Sequence, residues 1–355
     1  MDKTLLTDGP ASITLEEGQA WSLGAPIRAG DRIVVSKFRR IPIETDEEAL
    51  FQVKVGENGV YKQANGSSIP SGWREAGDIL RQSLGLAVVL GDVNVGKSTL
   101  STYLANTCLD HGIRTSIIDG DIGQADIGPP TTTSSSTVSN HIFGLQDLKP
   151  ERSHFIGDTS PSTVTAKLVQ SITHLKDEIT ARSEVIILNT DGWVRDEEAV
   201  SYKLQLLNTL QPNLVLGLSS NNELDPILEQ QQYPTLGLEA SPFARTRTRE
   251  ERKKTREEGY RKFFQNPKHL DLNLSTIKLR TFNKSRQERI GQDSTQRGTL
   301  AGLLDEKGML LSIGRIVRIQ NGIVRVTTTT EERPRIVELG AVILSSRFAE
   351  VGYEP

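Results

Sequence analysis

The chain has 355 residues, of which 36% are apolar and 25% are charged, and its formal net charge is -3. At about 150 residues per domain this length indicates two or three domains, and the apolar fraction excludes a largely disordered chain. The near balance of charges excludes a globally basic nucleic-acid coat but not a local basic patch. The single cysteine, Cys108, excludes a disulfide framework and a multi-cysteine metal site.

The hydropathy pattern predicts no membrane partner. The longest apolar run, residues 86–90, is far too short to span a bilayer. The first residues carry no apolar core behind a basic start, which argues against a secretory signal. We therefore expect an intracellular, cytoplasmic protein, nuclear if its source is eukaryotic.

Residues 1–75 are predicted to form an N-terminal β-rich domain. Apolar and polar residues alternate in short runs such as 33–35 and 51–55, and turn residues lie between them. No long helical period is found there. The polar stretch 63–71 is predicted to be a linker.

Residues 76–268 change in pattern and predict an α/β domain. Short apolar runs alternate with helical periods, which is typical of a parallel sheet with right-handed crossovers. The low-complexity run 131–139, TTTSSSTVS, is predicted to be a loop. The predicted strands are 85–91, 114–118, 155–156, 185–188 and 214–218, and the predicted helices are 97–110, 162–182 and 197–210.

Residues 269–355 are predicted to form a C-terminal β-rich domain. The predicted strands are 276–280, 308–311, 316–319, 324–329 and 341–344. The predicted fold class is thus α/β, with a central parallel sheet flanked by β-rich domains at both ends.

A phosphate-binding loop follows the first strand of the central region. Residues 91–99 fit the pattern G-x-x-x-x-G-K-[ST] between a strand and a helix, which makes this a P-loop NTPase domain. We expect Lys97 to reach the β- and γ-phosphates of a nucleotide and Ser98 to ligate Mg²⁺. The expected nucleotide-binding residues are Gly91, Asp92, Val93, Asn94, Val95, Gly96, Lys97, Ser98 and Thr99.

Two carboxylates end the second predicted strand of this domain. Asp119 and Asp121 follow a buried run, and strand ends of open α/β sheets face the ligand crevice. One of them could join Ser98 in holding Mg²⁺, and the other could take a proton from an attacking hydroxyl. The alternative is a solvated loop carboxylate.

The residues leave the class of nucleotide enzyme open. A guanine-specific protein would carry Asn-Lys-x-Asp, and the nearest run, residues 283–286, lacks the Asp, which favours ATP or loose base selectivity. A kinase, a metallochaperone, a synthetase and a motor all fit the loop and the Asp-x-Asp. One cysteine and five histidines argue against the metallochaperone, and no arginine finger is clearly marked for a motor.

Two later features narrow the choice. Trp193 follows the fourth predicted strand of this domain, where it could stack on a nucleobase or simply pack. Residues 245–264 hold nine basic and four acidic residues. Arg252 and Arg256 share a face if this segment is a helix, and they could clamp phosphates. The alternative is a solvated basic helix or a nucleic-acid tether.

Taken together, these motifs resemble the polynucleotide 5′-hydroxyl kinase family, which includes RNA kinases of mRNA 3′-end cleavage, tRNA splicing and rRNA processing and their archaeal relatives. The resemblance covers about residue 85 to the end. Gly302-Leu303-Leu304-Asp305 with Gly314 is also similar to the family's C-terminal domain. The other matching segments are 91–98, 119–124 (DGDIGQ), 157–161 (GDTSP), 189–193 (NTDGW) and the Arg-x-x-x-Arg of Arg252 and Arg256.

The resemblance implies transfer of the γ-phosphate of ATP, with Mg²⁺, to the 5′-hydroxyl of RNA or DNA, and protein partners in RNA processing. It implies that Asp121 activates the hydroxyl, whereas Asp119 matches a more variable position. It also implies a clasp that holds the end of the substrate and a lid that carries Arg252 and Arg256. The implied substrate-binding residues are Gln124, Thr190, Trp193 and Arg247.

One departure affects the lid, because residues 262–265 read KFFQ where the family has Tyr-Phe-Tyr-Gly. The lid register is therefore open by a turn, and Arg247 or Arg249 could share its role. Two other functions compete with a kinase: an ATP-binding scaffold without turnover, and a P-loop ATPase outside RNA biology. The joint presence of Lys97, Asp121 and both lid arginines favours the enzyme.

Overall fold

The computed structural model describes residues 3–281 and 297–353, so the run 283–286 lies outside the described residues. Contacts divide the chain into two compact units. Unit 1 comprises Met1–Ile118, Ser136–Lys149 and Lys176–Glu251, and unit 2 comprises Asp119–Ser135, Pro150–Leu175 and Arg252–Pro355. The domain boundaries expected after residues 75 and 268 remain predictions.

The N-terminal strands of unit 1 form two antiparallel sheets, with the orders β4-β3-β6-β1-β8 and β5-β2-β7. Alternation places Ile13, Ile33 and Ile43 in one shared core. The predicted linker was wrong at its start, because residues 63–65 pair with β1 as part of β8. The strands are β1 (Lys3–Asp8), β2 (Ala11–Glu17), β3 (Ala20–Ser22), β4 (Ala25–Ile27), β5 (Arg32–Val35), β6 (Arg40–Thr45), β7 (Leu50–Val55) and β8 (Val60–Asn65).

A helix that the sequence analysis missed, α1 (Ser71–Ser83), follows these sheets. Its buried face carries Trp73, Ala76 and Leu80. The Trp73 indole donates a hydrogen bond to the carbonyl of Glu239, 3.1 Å away. The buried positions 73, 76, 77 and 80 recur at the helical period, so the sequence did carry a local signal for this helix.

The central sheet has seven strands in the order β12-β11-β10-β13-β9-β14-β15. Strand β9 pairs in parallel with β13 and β14, and β11 pairs antiparallel with β12, so the sheet is mixed rather than wholly parallel. The strands are β9 (Gly85–Gly91), β10 (Thr115–Asp119), β11 (Thr132–Val138), β12 (Arg152–Phe155), β13 (Val185–Asn189), β14 (Leu214–Ser219) and β15 (Thr235–Glu239). The helices that follow α1 are α2 (Lys97–Asp110), α3 (Thr165–Thr180), α4 (Glu197–Leu210), α5 (Asp225–Leu228) and α6 (Arg249–Phe263).

The predicted loop at 131–139 was wrong, because most of it is strand β11. Several of its buried hydroxyl groups are hydrogen-bonded: that of Ser134 lies 2.8 Å from the hydroxyl of Ser153. Thr133 donates to the hydroxyl of Ser171 at 3.1 Å. A polar composition therefore does not exclude a buried strand when neighbouring hydroxyls satisfy it.

The C-terminal sheet of unit 2 has the order β16-β20-β19-β18-β21-β17, with β22 beside β21. The two strands predicted at 308–311 and 316–319 form one long strand, β19. Strands β16, β18 and β22 were not predicted. Within the described residues, no helix is long and apolar enough to cross a membrane. The strands are β16 (Lys268–Asn273), β17 (Lys278–Thr281), β18 (Thr299–Leu304), β19 (Leu310–Gln320), β20 (Ile323–Thr328), β21 (Ile336–Leu344) and β22 (Glu350–Tyr353).

Candidate active site

The phosphate loop of unit 1, residues 91–99, connects strand β9 to helix α2. Two of its residues have left-handed backbone conformations, Asn94 with φ 65° and Gly96 with φ 104°. At the φ of 104° found at position 96, glycine avoids the strain that a side chain would cause. The turn ends at the N-terminus of α2, whose first N–H groups and dipole suit an anion.

Lys97 and Ser98 are held at the start of that helix. The Lys97 side chain is buried, and its ammonium donates hydrogen bonds to the carbonyls of Gly91 at 3.0 Å and Asp92 at 2.9 Å. The Ser98 hydroxyl accepts a hydrogen bond from the amide of Asn189 at 3.4 Å. The donor set fits a nucleoside polyphosphate, because a buried ammonium lies inside a loop of backbone N–H groups. Asn189, the last residue of β13, was missed as an individual site residue.

The segment 190–196, which we call the clasp loop, carries Thr190 and Trp193, two of the three predicted substrate residues of unit 1. Thr190 is buried, and its hydroxyl donates to the carbonyl of Val89 at 2.7 Å. Trp193 is half-buried and stacks on Tyr202, with ring centroids 6.0 Å apart. The Trp193 indole N–H donates to the carboxylate of Asp196 at 2.6 Å. The indole is thus fixed at both its face and its edge.

A buried ion pair lies under the clasp loop. The Lys203 ammonium is 2.8 Å from the carboxylate of Asp191, and their side chains are 0% and 4% exposed. Asp191 also accepts hydrogen bonds from the Tyr202 hydroxyl at 3.0 Å and from the Trp193 backbone at 3.0 Å. Sequence reasoning missed Lys203, although a lysine between the apolar positions of α4 was a usable signal.

The clasp loop and the phosphate loop touch. A side chain on Gly192 would place its Cβ 2.7 Å from the backbone nitrogen of Val93, so the close approach requires glycine. Arg195 pairs with Asp92, with Nε 2.7 Å from the carboxylate. The predicted residues Lys97, Ser98, Thr190 and Trp193 therefore belong to two loops in direct contact.

Arg247 reaches the same phosphate loop through its backbone. Its carbonyl accepts a hydrogen bond from the Asn94 side chain at 3.3 Å, and its N–H donates to that side chain at 3.3 Å. The segment before α6 is therefore tied to the nucleotide loop. Only the tertiary structure shows this contact, because the two residues are 153 positions apart.

In unit 2, Asp119 and Asp121 differ in environment. Asp119 is buried and accepts hydrogen bonds from the backbone of Asp126 at 2.7 Å and of Ile127 at 3.1 Å. Burial, reinforced by the carboxylates of Asp126 and Asp121, raises the pKa of Asp119 to about 7. Asp121 is half-buried and lies beyond the end of β10.

Gln124 connects this turn to helix α6. Its backbone N–H donates to the Asp121 carboxylate at 2.9 Å. Its side-chain amide donates to the carbonyl of Arg252 at 3.2 Å. The structure therefore brings the Asp121 turn and the start of the predicted lid together within unit 2.

Arg256 lies one turn after Arg252 and contacts Glu350. Its Nε and Nη2 atoms donate to the two carboxylate oxygens of Glu350 at 2.6 and 2.7 Å. The two side chains are 18% and 13% exposed. Glu350 was not predicted, because it lies 94 residues further along the chain.

Within residues 3–281 and 297–353, no group of three or more His, Cys, Asp or Glu side chains could hold a metal ion. Mg²⁺ at nucleotide sites commonly keeps one or two protein ligands and completes its shell with phosphates and water. The Ser98 hydroxyl at the start of α2 is a suitable oxygen ligand of this kind.

Comparison with known proteins gives a consistent result. A sequence profile of the family described as mRNA cleavage and polyadenylation factor CLP1 P-loop matches residues 91–266. The chain is 36% identical over 255 residues to a polyribonucleotide 5′-hydroxyl-kinase of Pyrococcus abyssi, covering 72% of this chain and 70% of that one. It is 35% identical over 190 residues to the enzyme of the same name from Pyrococcus horikoshii, covering 54% and 52%.

The fold is also that of solved structures. A Clp1p–Pcf11p complex matches with a TM-score of 0.74 at 12% identity, covering 97% of this chain and 94% of that one. A second match, with a TM-score of 0.73, covers 96% of each chain and describes ATP loss in a Clp1p point mutant. At this identity the likeness shows the fold alone, and it confirms the predicted P-loop fold with β-rich sheets at both ends.

Proposed function

The chain belongs to the CLP1 P-loop family, and from this premise we propose that it is an ATP-dependent polynucleotide 5′-hydroxyl kinase. The proposed reaction transfers the γ-phosphate of ATP to the 5′-hydroxyl end of RNA. The observation that carries the proposal is the contact between a phosphate loop with a buried Lys97 and a clasp loop with an aromatic side chain. Hydrolysis of ATP alone requires no such clasp.

The nucleotide is proposed to bind at residues 91–99. The backbone N–H groups and Lys97 would hold the phosphates, and Ser98 would ligate Mg²⁺ together with Asp119 or Asp121. Bound Mg²⁺ supplies charge neutralisation on the phosphates. Burial favours the protonated form of the Asp119 carboxyl, and a bound cation would lower its pKa again by stabilising the ionised form.

The 5′-hydroxyl is proposed to be activated by Asp121. As the bond forms between the 5′ oxygen and the γ-phosphorus, the bond to the bridging oxygen breaks and ADP leaves. The hydroxyl proton passes to the Asp121 carboxylate, an effect worth about 10²–10⁴ in rate. Trp193 would stack on a base near the 5′ end, and Gln124, Thr190 and Arg247 are proposed to complete the substrate site.

Arg252 and Arg256 are proposed as the lid arginines. Arginines that stabilise the charge of a phosphoryl transition state contribute about 10³–10⁵ in rate. Both lie on helix α6, four residues apart, which is the arrangement that places them on one face. Arg249 is the first residue of the same helix, so it remains a candidate for sharing the role of a lid arginine.

A non-catalytic scaffold is the second candidate function. The observation that favours it is that the matched Clp1p structure is a complex with Pcf11p. We propose that this chain, too, has a protein partner in RNA processing. The scaffold and the kinase differ in turnover, which a direct assay measures.

The test is transfer of label from γ-³²P-ATP to a short 5′-hydroxyl RNA and to its DNA counterpart. Lys97→Ala and Asp121→Asn are expected to abolish transfer, whereas Asp46→Asn, at an exposed acid of the N-terminal sheets, is expected to leave it unchanged. Transfer to RNA that both site variants abolish supports the kinase, and the DNA reaction reports the sugar preference. Retained ATP binding without transfer to either oligonucleotide would favour the scaffold.

A further inference from the structure

The pairing of Arg256 with Glu350 has a particular geometry. The carboxylate meets the side of the guanidinium formed by Nε and Nη2, at 2.6 and 2.7 Å. This pairing leaves the third nitrogen, Nη1, outside the bonds to Glu350. Side-on pairing fixes the plane of a guanidinium through two parallel bonds, so it also fixes the direction in which Nη1 donates.

Glu350 is itself held firmly against α6. Its backbone N–H donates to the Glu257 carboxylate at 3.1 Å. Phe348 stacks on Phe264, with ring centroids 4.2 Å apart and an interplanar angle of 4°. The segment 345–353, which we call the C-terminal strap, thus contacts α6 at Glu257 and the residue just beyond the end of that helix, Phe264.

The other end of the C-terminal strap reaches the GDTSP loop, residues 157–161. The hydroxyl of Tyr353 lies 2.8 Å from both carboxylate oxygens of Asp158, which is fully buried. Asp158 also accepts hydrogen bonds from the Ser160 backbone at 2.8 Å and the Thr163 hydroxyl at 2.7 Å. The strap is therefore fixed at two points within unit 2, and Glu350 cannot easily follow a moving arginine.

We propose that Glu350 is a positioning residue for phosphoryl transfer: it orients Arg256 so that Nη1 donates to the transferred phosphate. This inference rests on the proposed kinase function. A free arginine side chain samples many rotamers, and holding a catalytic group in its productive geometry lowers the barrier of the reaction. The two engaged nitrogens anchor the side chain, and the remaining nitrogen acts on the substrate.

The kinetic test compares Glu350→Ala, Glu350→Gln and Glu350→Asp with the wild type. We expect kcat to fall roughly ten- to hundredfold in the first two, because small displacements of a reacting group cost rates of this order. The KM for ATP should change little, and Glu350→Asp should recover part of kcat. The double variant Glu350→Ala/Arg256→Ala should be no slower than Arg256→Ala, since the carboxylate acts through that arginine.

A matched control is available in the same C-terminal sheet. Asp271, on strand β16, pairs side-on with Arg325, whose Nε lies 2.6 Å from the carboxylate. Asp271→Asn should leave kcat unchanged. If Asp271→Asn lowers kcat as much as Glu350→Gln does, both variants act through a general loss of stability, and the proposal is overturned.

Crystal structures of the wild type and Glu350→Gln with a non-hydrolysable ATP analogue give a readout that needs no turnover. We expect Nη1 of Arg256 on the γ-phosphate in the wild type and a displaced guanidinium in the variant. An unchanged Arg256, or a variant with a higher kcat because Glu350 withholds the arginine from phosphate, would overturn the inference. Absence of phosphate transfer by the wild type would overturn the kinase proposal, and these structures would then decide the role of Glu350 alone.

Discussion

Removal of the Lys203 ammonium should destabilise the protein strongly. In Lys203→Ala the Asp191 carboxylate would stay buried without its cation, since the two side chains are 0% and 4% exposed. Breaking a buried pair by removing one partner costs about 3–5 kcal/mol, because the remaining charge keeps its desolvation penalty. Lys203 also donates to the Asp191 carbonyl at 3.2 Å, and that hydrogen bond is lost too.

The double variant separates the ion pair from the packing. Lys203→Met/Asp191→Asn keeps the shape and leaves no buried charge, and such replacements are often neutral. We expect it to be more stable than Lys203→Met alone, with a coupling free energy of about 2 kcal/mol or more between the two positions. The Trp193 backbone N–H can still donate to the new amide oxygen.

The assay is equilibrium urea unfolding followed by circular dichroism, with the slope checked for each variant. Arg114→Ala is the control, because Arg114 and Glu184 form an ion pair with side chains 66% and 39% exposed. Exposed pairs contribute little, so this variant should unfold at nearly the wild-type midpoint. A Lys203→Ala midpoint as close to the wild type as that of the control would refute the reasoning.

Four further outcomes are expected. Burial raises the pKa of the Cys108 thiol to about 11. Below that pH the native protein should therefore react with a thiol reagent only as it unfolds, and rapid labelling at pH 8 would contradict this. Gly192→Ala should displace Val93 and so weaken ATP binding roughly tenfold, measured by titration calorimetry. Gly237→Ala is the control and should leave ATP binding unchanged, because a Cβ at position 237 meets nothing within 4 Å. Affinity for a 5′-hydroxyl oligonucleotide should fall as salt rises. Substitution of Arg252 should depress turnover more than ATP affinity, and an equal loss of both would remove it from the lid.

Local patterns were sufficient for some elements. The strand predicted at 85–91 and the helices at 97–110 and 197–210 have the same bounds in the structure. Each is marked by signals within a few residues, such as Asp196, whose carboxylate accepts a hydrogen bond from the backbone of Ala199 at 2.8 Å and caps α4.

Elements whose stability comes from distant partners were missed. Strand β11 is rich in hydroxyl groups and looked like a loop, but Ser153 and Ser171 provide hydrogen-bond partners for two of its buried hydroxyls. Helix α1 is fixed by the Trp73 contact with Glu239, 166 residues away. No local window contains the partners of β11, so no periodicity could reveal that strand, whereas the buried positions of α1 recur at the helical period and could have indicated the helix.

The sequence by itself determined which residues can bind phosphate, because a glycine-rich turn before Lys97 and Ser98 is a local geometry with one evident chemistry. The tertiary structure alone decided which groups hold that chemistry in place. Arg256 meets Glu350 across 94 residues, and Tyr353 meets Asp158 across 195. The reason is physical: a phosphate loop is built by neighbouring backbone groups, whereas the carboxylates that orient an arginine or anchor a loop can come from anywhere in the folded chain.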